Sequence, residues 1–121
     1  ATETEEQRLA ELPREYLVFF DWGRADITTE AEQIIRAAAA NAKELKSVRL
    51  TTTGHADRSG PDPYNLRLSQ RRAAAVRAVL IREGVPTSEI EIFARGESEP
   101  LVQTPDGVRE PRNRRVQIFL N

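Results

Sequence analysis

The sequence predicts an α+β fold: a two-layer sandwich, in β-α-β-α-β-β order, with two main helices packed on one face of a small mixed sheet. Three observations carry this prediction. Four short runs are rich in β-branched and aromatic residues. Two longer stretches repeat apolar residues at helical spacing, giving each one apolar face. The two kinds of segment alternate until a long loop leads to the last strand, and stacking both helices on one sheet face buries every apolar face at once.

The elements follow in order. Residues 1–15 are polar and mostly acidic and read as an N-terminal tail or linker, or a short helix that Pro13 ends, with the domain proper over residues 16–121. Tyr16-Leu17-Val18-Phe19-Phe20 reads as a buried strand that stops at Asp21-Trp22-Gly23. Thr29 followed by Glu32 forms a capping-box pattern, and Ala31, Ile34, Ile35, Ala38, Ala42 and Leu45 then form the apolar face of a helix. Val48–Thr53 alternates and is β-branched, so it reads as a second strand, running into Gly54-His55-Ala56-Asp57 and a turn at Ser59-Gly60-Pro61. Asp62-Pro63 reads as N-cap and first-turn proline of the second main helix, about Tyr64 to Glu83, with Leu68, Ala75, Val76, Val79 and Leu80 inside and Gly84 as its stop. Ile90–Ala94 is a third strand and Arg115–Leu120 the last. Between them, Gly96 to Pro111 holds three prolines and two glycines and reads as a long irregular loop.

Composition removes several functions. A chain of 121 residues allows one ordinary domain. Eighteen basic residues against nineteen acidic ones leave a formal net charge of −1, so there is no global field for nucleic acid, and none is expected as a partner. The absence of cysteine excludes disulfides, thiolate metal sites and a cysteine nucleophile; with His55 the single histidine, neither a metal nor a cofactor is expected. No long apolar run spans a membrane and the first residues are not a signal peptide, so membrane attachment is expected only through a segment outside this chain. The basic residues are mostly arginine, whose planar fork suits ligands that carry carboxylates.

Three motifs then stand in order along the chain. Thr53-Gly54-His55-Ala56-Asp57 matches T-G-H-x-D, Asn65 to Val76 matches N-x-x-L-S-x-x-R-A-x-x-V, and Asn113-Arg114-Arg115-Val116 matches N-R-R-V. Together, and at compatible spacing from Tyr16 to the end, they resemble the OmpA-like family, which includes peptidoglycan-associated lipoproteins and the C-terminal domains of flagellar stator proteins. The resemblance implies non-covalent, non-catalytic binding of the meso-diaminopimelate of the peptidoglycan stem peptide. It also implies residence in the periplasm of a Gram-negative bacterium, tethered to the outer membrane. The sequence departs from the family pattern at Ala56, where many members have Thr, and at Trp22, where many have a small Ser after the Asp.

The D-centre of diaminopimelate carries an ammonium beside a carboxylate, so its receptor needs an anion and a cation held a few ångströms apart. The resemblance assigns these roles to Asp57 and Arg72. Asp57 lies just past a strand end, and Asn65, Ser69, Arg72 and Val76 share one side of a helix. Asn65 is expected to order the loop beside the ligand. Asp21, at the end of the first strand, is expected to line the same pocket or to cap a turn there. Arg114 is the candidate second carboxylate contact, because Arg114 and Arg115 face opposite ways if their segment is extended. His55 reads as a packed structural residue, since no nucleophile or orienting partner accompanies it. Two other readings stay open. One is a periplasmic protein–protein interaction domain of the same fold, motivated by Trp22 and the long loop. The other, a wall hydrolase, has no catalytic residues to support it.

Overall fold

In the computed structural model, which describes residues 4–46 and 49–121, helices and strands interleave around one four-stranded sheet. The elements are α1 (Glu5–Ala10), β1 (Glu15–Phe19), α2 (Thr29–Glu44), β2 (Leu50–Gly54), α3 (Asp62–Arg82), β3 (Ile90–Ala94) and β4 (Arg115–Leu120), with 3-10 turns at Thr87–Glu89 and Pro111–Asn113. The predicted α+β class and order are those observed, with α1 added in front. Val48, expected to open the second strand, and residues 1–3 of the expected tail lie outside the described residues.

The sheet order is β1-β4-β2-β3. The last strand is thus inserted between the first two, antiparallel to both, while β2 and β3 run parallel with α3 as their crossover. One face is lined by Val18, Leu50, Val116, Ile118 and Leu120, and α2 and α3 lie against it. From α2 come Ile35 and the small Ala38, Ala39 and Ala42, which let the helix approach the strands closely; from α3 come Val76, Val79 and Leu80. Each large aliphatic side chain fully buried here contributes about 1.5–3 kcal/mol.

Three local expectations change. The Tyr16–Phe20 run is not a buried strand. It is the edge strand β1, shifted to Glu15–Phe19, and it alternates: Val18 is fully buried, whereas Phe19 is 43% exposed on the open sheet face. An edge strand with helices on one side only has one wet face, and five consecutive apolar residues hide that periodicity. The cap of α2 is Thr28, not Thr29; its hydroxyl accepts from the Ala31 N–H at 3.1 Å, which puts Ala31 where the box would need Glu32. Pro61 holds the cap position of α3, with Asp62 and Pro63 inside the first turn. At the other end of the chain, α1 carries a complete capping box between Thr4 and Gln7, and Arg8 ties it to Glu44 of α2 at 3.1 Å.

Gly54 fixes how the end of β2 sits on α3. A Cβ there would overlap the Ser69 carbonyl oxygen and lie 2.8 Å from its carbon, so the end of β2 rests directly on the backbone of α3.

Candidate functional site

The polar side chains along one side of α3 reach the loops that leave the strands. Ser69 Oγ donates to Leu66 O one turn back and accepts from the N–H of Gly96, just past β3, at 3.0 Å. One turn further on, the guanidinium of Arg72 is fully buried. It donates to three main-chain carbonyls: Arg24 O (2.8 Å) and Asp21 O (3.2 Å) beyond β1, and His55 O (3.0 Å) beyond β2. The ring of Phe20 covers it at 5.4 Å. Burial lowers its pKa to about 10, against the pull of Asp57, so it stays charged at neutral pH.

An arginine has five N–H donors. Three of Arg72's are spent on neutral carbonyls, and among the described residues no carboxylate hydrogen-bonds to it. A buried cation with no hydrogen-bonded anion is costly, and one N–H on each terminal nitrogen is left without an acceptor among the described residues.

Asp57 is 3% exposed. Its Oδ1 accepts from the N–H (3.1 Å) and the hydroxyl of Ser59; its Oδ2 accepts from the Glu110 N–H (3.2 Å) and from Arg114 Nη1 (3.2 Å). Burial on its own would raise the carboxyl. The bonds from Ser59, Glu110 and Arg114 outweigh it and hold the pKa below the usual carboxylate value. All four acceptor positions of Asp57 are filled from within the chain, so an arriving cation has to take the place of one of these donors.

A cavity of about 210 Å³ has Asp57 and Arg72 among its lining residues; its walls also include Trp22, Ser59, Gly60, Tyr64 and Leu68. Asn65 belongs to it and is buried, with its amide nitrogen donating to Gly60 O (2.9 Å) and to Glu97 Oε1 (3.1 Å). It orders the Ser59–Pro61 turn and ties it to the long loop. The structure therefore brings Asp57, Asn65 and Arg72 together. Asp21 differs from the expectation of a shared pocket: its carbonyl holds Arg72, but its exposed carboxylate lies along a neighbouring groove of about 480 Å³ with Phe19, Ile34 and Arg112. Arg114 borders that groove too and reaches the first site by its bond to Asp57, with Nε held by Phe20 O at 3.0 Å.

The remaining N-R-R-V residues hold the long loop. Asn113 pairs its side-chain amide with the N–H and C=O of Val102 at 2.9 and 2.8 Å, and Arg115, turned away from Arg114, donates to Glu99 O at 2.9 Å. His55 is buried, with Nε2 2.9 Å from Gln117 Oε1; burial, and then the charge of Arg115, lower its pKa to about 4. It is neutral at pH 7, and among the described residues its side-chain hydrogen-bond partner is Gln117.

Sequence reasoning did not find Ser59, the Glu110 N–H or Glu97. Ser59 had a signal: Asp57-x-Ser59 before Gly60 is the pattern of an Asx turn, whose i to i+2 bond is the one observed. Glu97 and Glu110 reach the site from an irregular loop, where no periodicity marks them.

The sequence model of the OmpA family matches residues 19–114. An outer membrane protein of Gluconacetobacter diazotrophicus is 46% identical over 114 residues, covering 89% of this chain and 30% of its own length. A peptidoglycan-associated lipoprotein of Brucella melitensis is 35% identical over 104 residues, covering 86% of this chain and 62% of its own. The crystal structure of the peptidoglycan-associated lipoprotein from Burkholderia pseudomallei superposes with a TM-score of 0.80 at 26% identity, over 88% of this chain and 90% of that one. The chain thus spans 30% of the length of the first of these sequence relatives and 62% of the second. On its sequence and its fold alike, the chain belongs to the OmpA family.

Proposed function

We propose that this domain binds peptidoglycan without catalysis and anchors a larger envelope protein to the cell wall, as the names of its peptidoglycan-associated relatives suggest. The ligand group is the zwitterionic D-centre of meso-diaminopimelate in the stem peptide. Its carboxylate takes the two open donors of Arg72, and its ammonium takes an oxygen of Asp57. The observation that carries the reading is the buried Arg72 guanidinium with no carboxylate partner among the described residues, on the wall of a cavity that also holds Asp57. Asn65 keeps the turn beside the ligand in shape, and Asp21 and Arg114 continue the charged surface into the neighbouring groove. The setting is the periplasm of a Gram-negative bacterium, with attachment to the outer membrane through a segment beyond this domain.

Charge-assisted hydrogen bonds of this kind contribute about 1.5–3 kcal/mol each, less the cost of association. A modest affinity per stem peptide is sufficient on a repeating wall, where a tethered protein meets a high effective concentration. Co-sedimentation with purified sacculi tests the proposal. Wild type should pellet with them and Asp57→Asn should stay largely in solution; equal pelleting of both would exclude this site.

A second reading, a docking site for a periplasmic protein, is favoured by the exposed Trp22, Leu101 and Val108, the last two on the long loop. Loss of sacculus binding with retained capture of an envelope partner would select it.

A further inference from the structure

Trp22 is the single tryptophan of the chain, and its indole enters a chain of contacts that ends on the proposed anion. Indole Nε1 donates to Ser59 Oγ at 3.0 Å, and the same hydroxyl donates to Asp57 Oδ1. The guanidinium of Arg109, from the long loop, lies 3.5 Å from the centroid of the indole ring. Trp22 is 48% exposed, yet it is held by Ser59 and Arg109 and lines the Asp57 and Arg72 cavity together with Tyr64 and Leu68. This cavity is smaller than the roughly 300–1,000 Å³ of typical small-molecule sites, so it fits one amino-acid arm and not a disaccharide.

We propose that Trp22 is a specificity-determining residue of this site, acting as an apolar wall for the aliphatic arm of a diamino acid and as a latch on Asp57 through the Ser59 hydroxyl. The inference rests on the zwitterion reading above and adds to it what distinguishes one zwitterion from another. The charged centre alone is common to every free amino acid, so Asp57 and Arg72 cannot separate diaminopimelate from alanine. A methylene arm leaving that centre passes between Trp22, Tyr64 and Leu68 and gains apolar contact that a methyl group cannot reach. The latch supplies the entry step. Of the four donors on Asp57, the Ser59 hydroxyl can rotate without moving backbone, so a ligand ammonium takes its place on Oδ1 and the hydroxyl is left to Trp22 alone. Binding is then felt at the indole.

The test is a pair of titrations, followed by calorimetry and by the emission of the single tryptophan. The ligands are free meso-diaminopimelate and D-alanine, which share the D-zwitterion and differ in the arm. Wild type should favour diaminopimelate by about tenfold or more, with a saturable change in tryptophan emission. Trp22→Ala should lose most of that preference while still binding both ligands weakly. Trp22→Phe, which keeps an apolar wall but not the N–H, should keep the preference. If diaminopimelate binds and Trp22→Ala discriminates as wild type does, the role of Trp22 is overturned and the zwitterion site stands. If wild type binds neither ligand, both fall together.

Discussion

Arg114 Nη1 lies 3.2 Å from Asp57 Oδ2, joining the residue before β4 to the loop after β2. Both side chains are largely buried. Removing one partner of such a pair leaves the other charge without its counterion. Arg114→Ala should therefore lower stability by about 1.5–3 kcal/mol in urea unfolding. Arg114→Lys should recover only part of it, because one ammonium cannot hold both Asp57 and the Phe20 carbonyl as the guanidinium does.

Arg72 serves the fold as well as the proposed ligand contact. Arg72→Ala removes the donor to three loop carbonyls and should cost about 2–4 kcal/mol, read as a lower urea midpoint at an unchanged slope. Loss of ligand binding in that variant mixes two causes; Asp57→Asn keeps the shape of the side chain but removes the counterion of Arg114, so its binding loss is read beside its own urea midpoint.

Gly54→Ala should destabilise by more than about 3 kcal/mol, since the added methyl meets backbone atoms of Ser69 that cannot rotate away. A melting temperature within a few degrees of wild type would show that β2 and α3 can separate more easily than their contact implies.

The pH dependence has a definite sign. His55 is buried and neutral, with its folded pKa near 4 against an ordinary value of 6.5. Between these values the unfolded chain binds a proton that the folded one refuses, so stability falls as the pH drops from about 6.5 to about 4, by roughly 2–3 kcal/mol in all. Below the ordinary Asp value of 3.8 the depressed Asp57 adds a further loss in the same direction. Urea midpoints measured from pH 7 to pH 4 should show the first phase in wild type and not in His55→Gln.

The layered fold was legible because its helices and most of its strands keep clean periods. β3 and β4 run over the residues the sequence assigned, and the inner faces of α2 and α3 are close to those read from spacing. β1 was misread as buried because Phe19 and Phe20 are both aromatic, and nothing in Tyr16–Phe20 marks which residues face water. The site was legible where helical geometry aligns residues: Asn65, Ser69 and Arg72 are three and four apart and do share one face. It was not legible where backbone groups do the work. The carbonyls that hold Arg72 and the Glu110 N–H that holds Asp57 belong to residues whose side chains give no sign of it.

The most direct measurement is a calorimetric titration with two stem peptides, one containing meso-diaminopimelate and one with L-lysine, which lacks the D-carboxylate, in its place. The proposed pairing of that carboxylate with the buried Arg72 predicts saturable binding of the first peptide only, weakened at least about tenfold in Asp57→Asn. Equal binding of both peptides, binding of neither, or an Asp57→Asn protein that binds like wild type would contradict it.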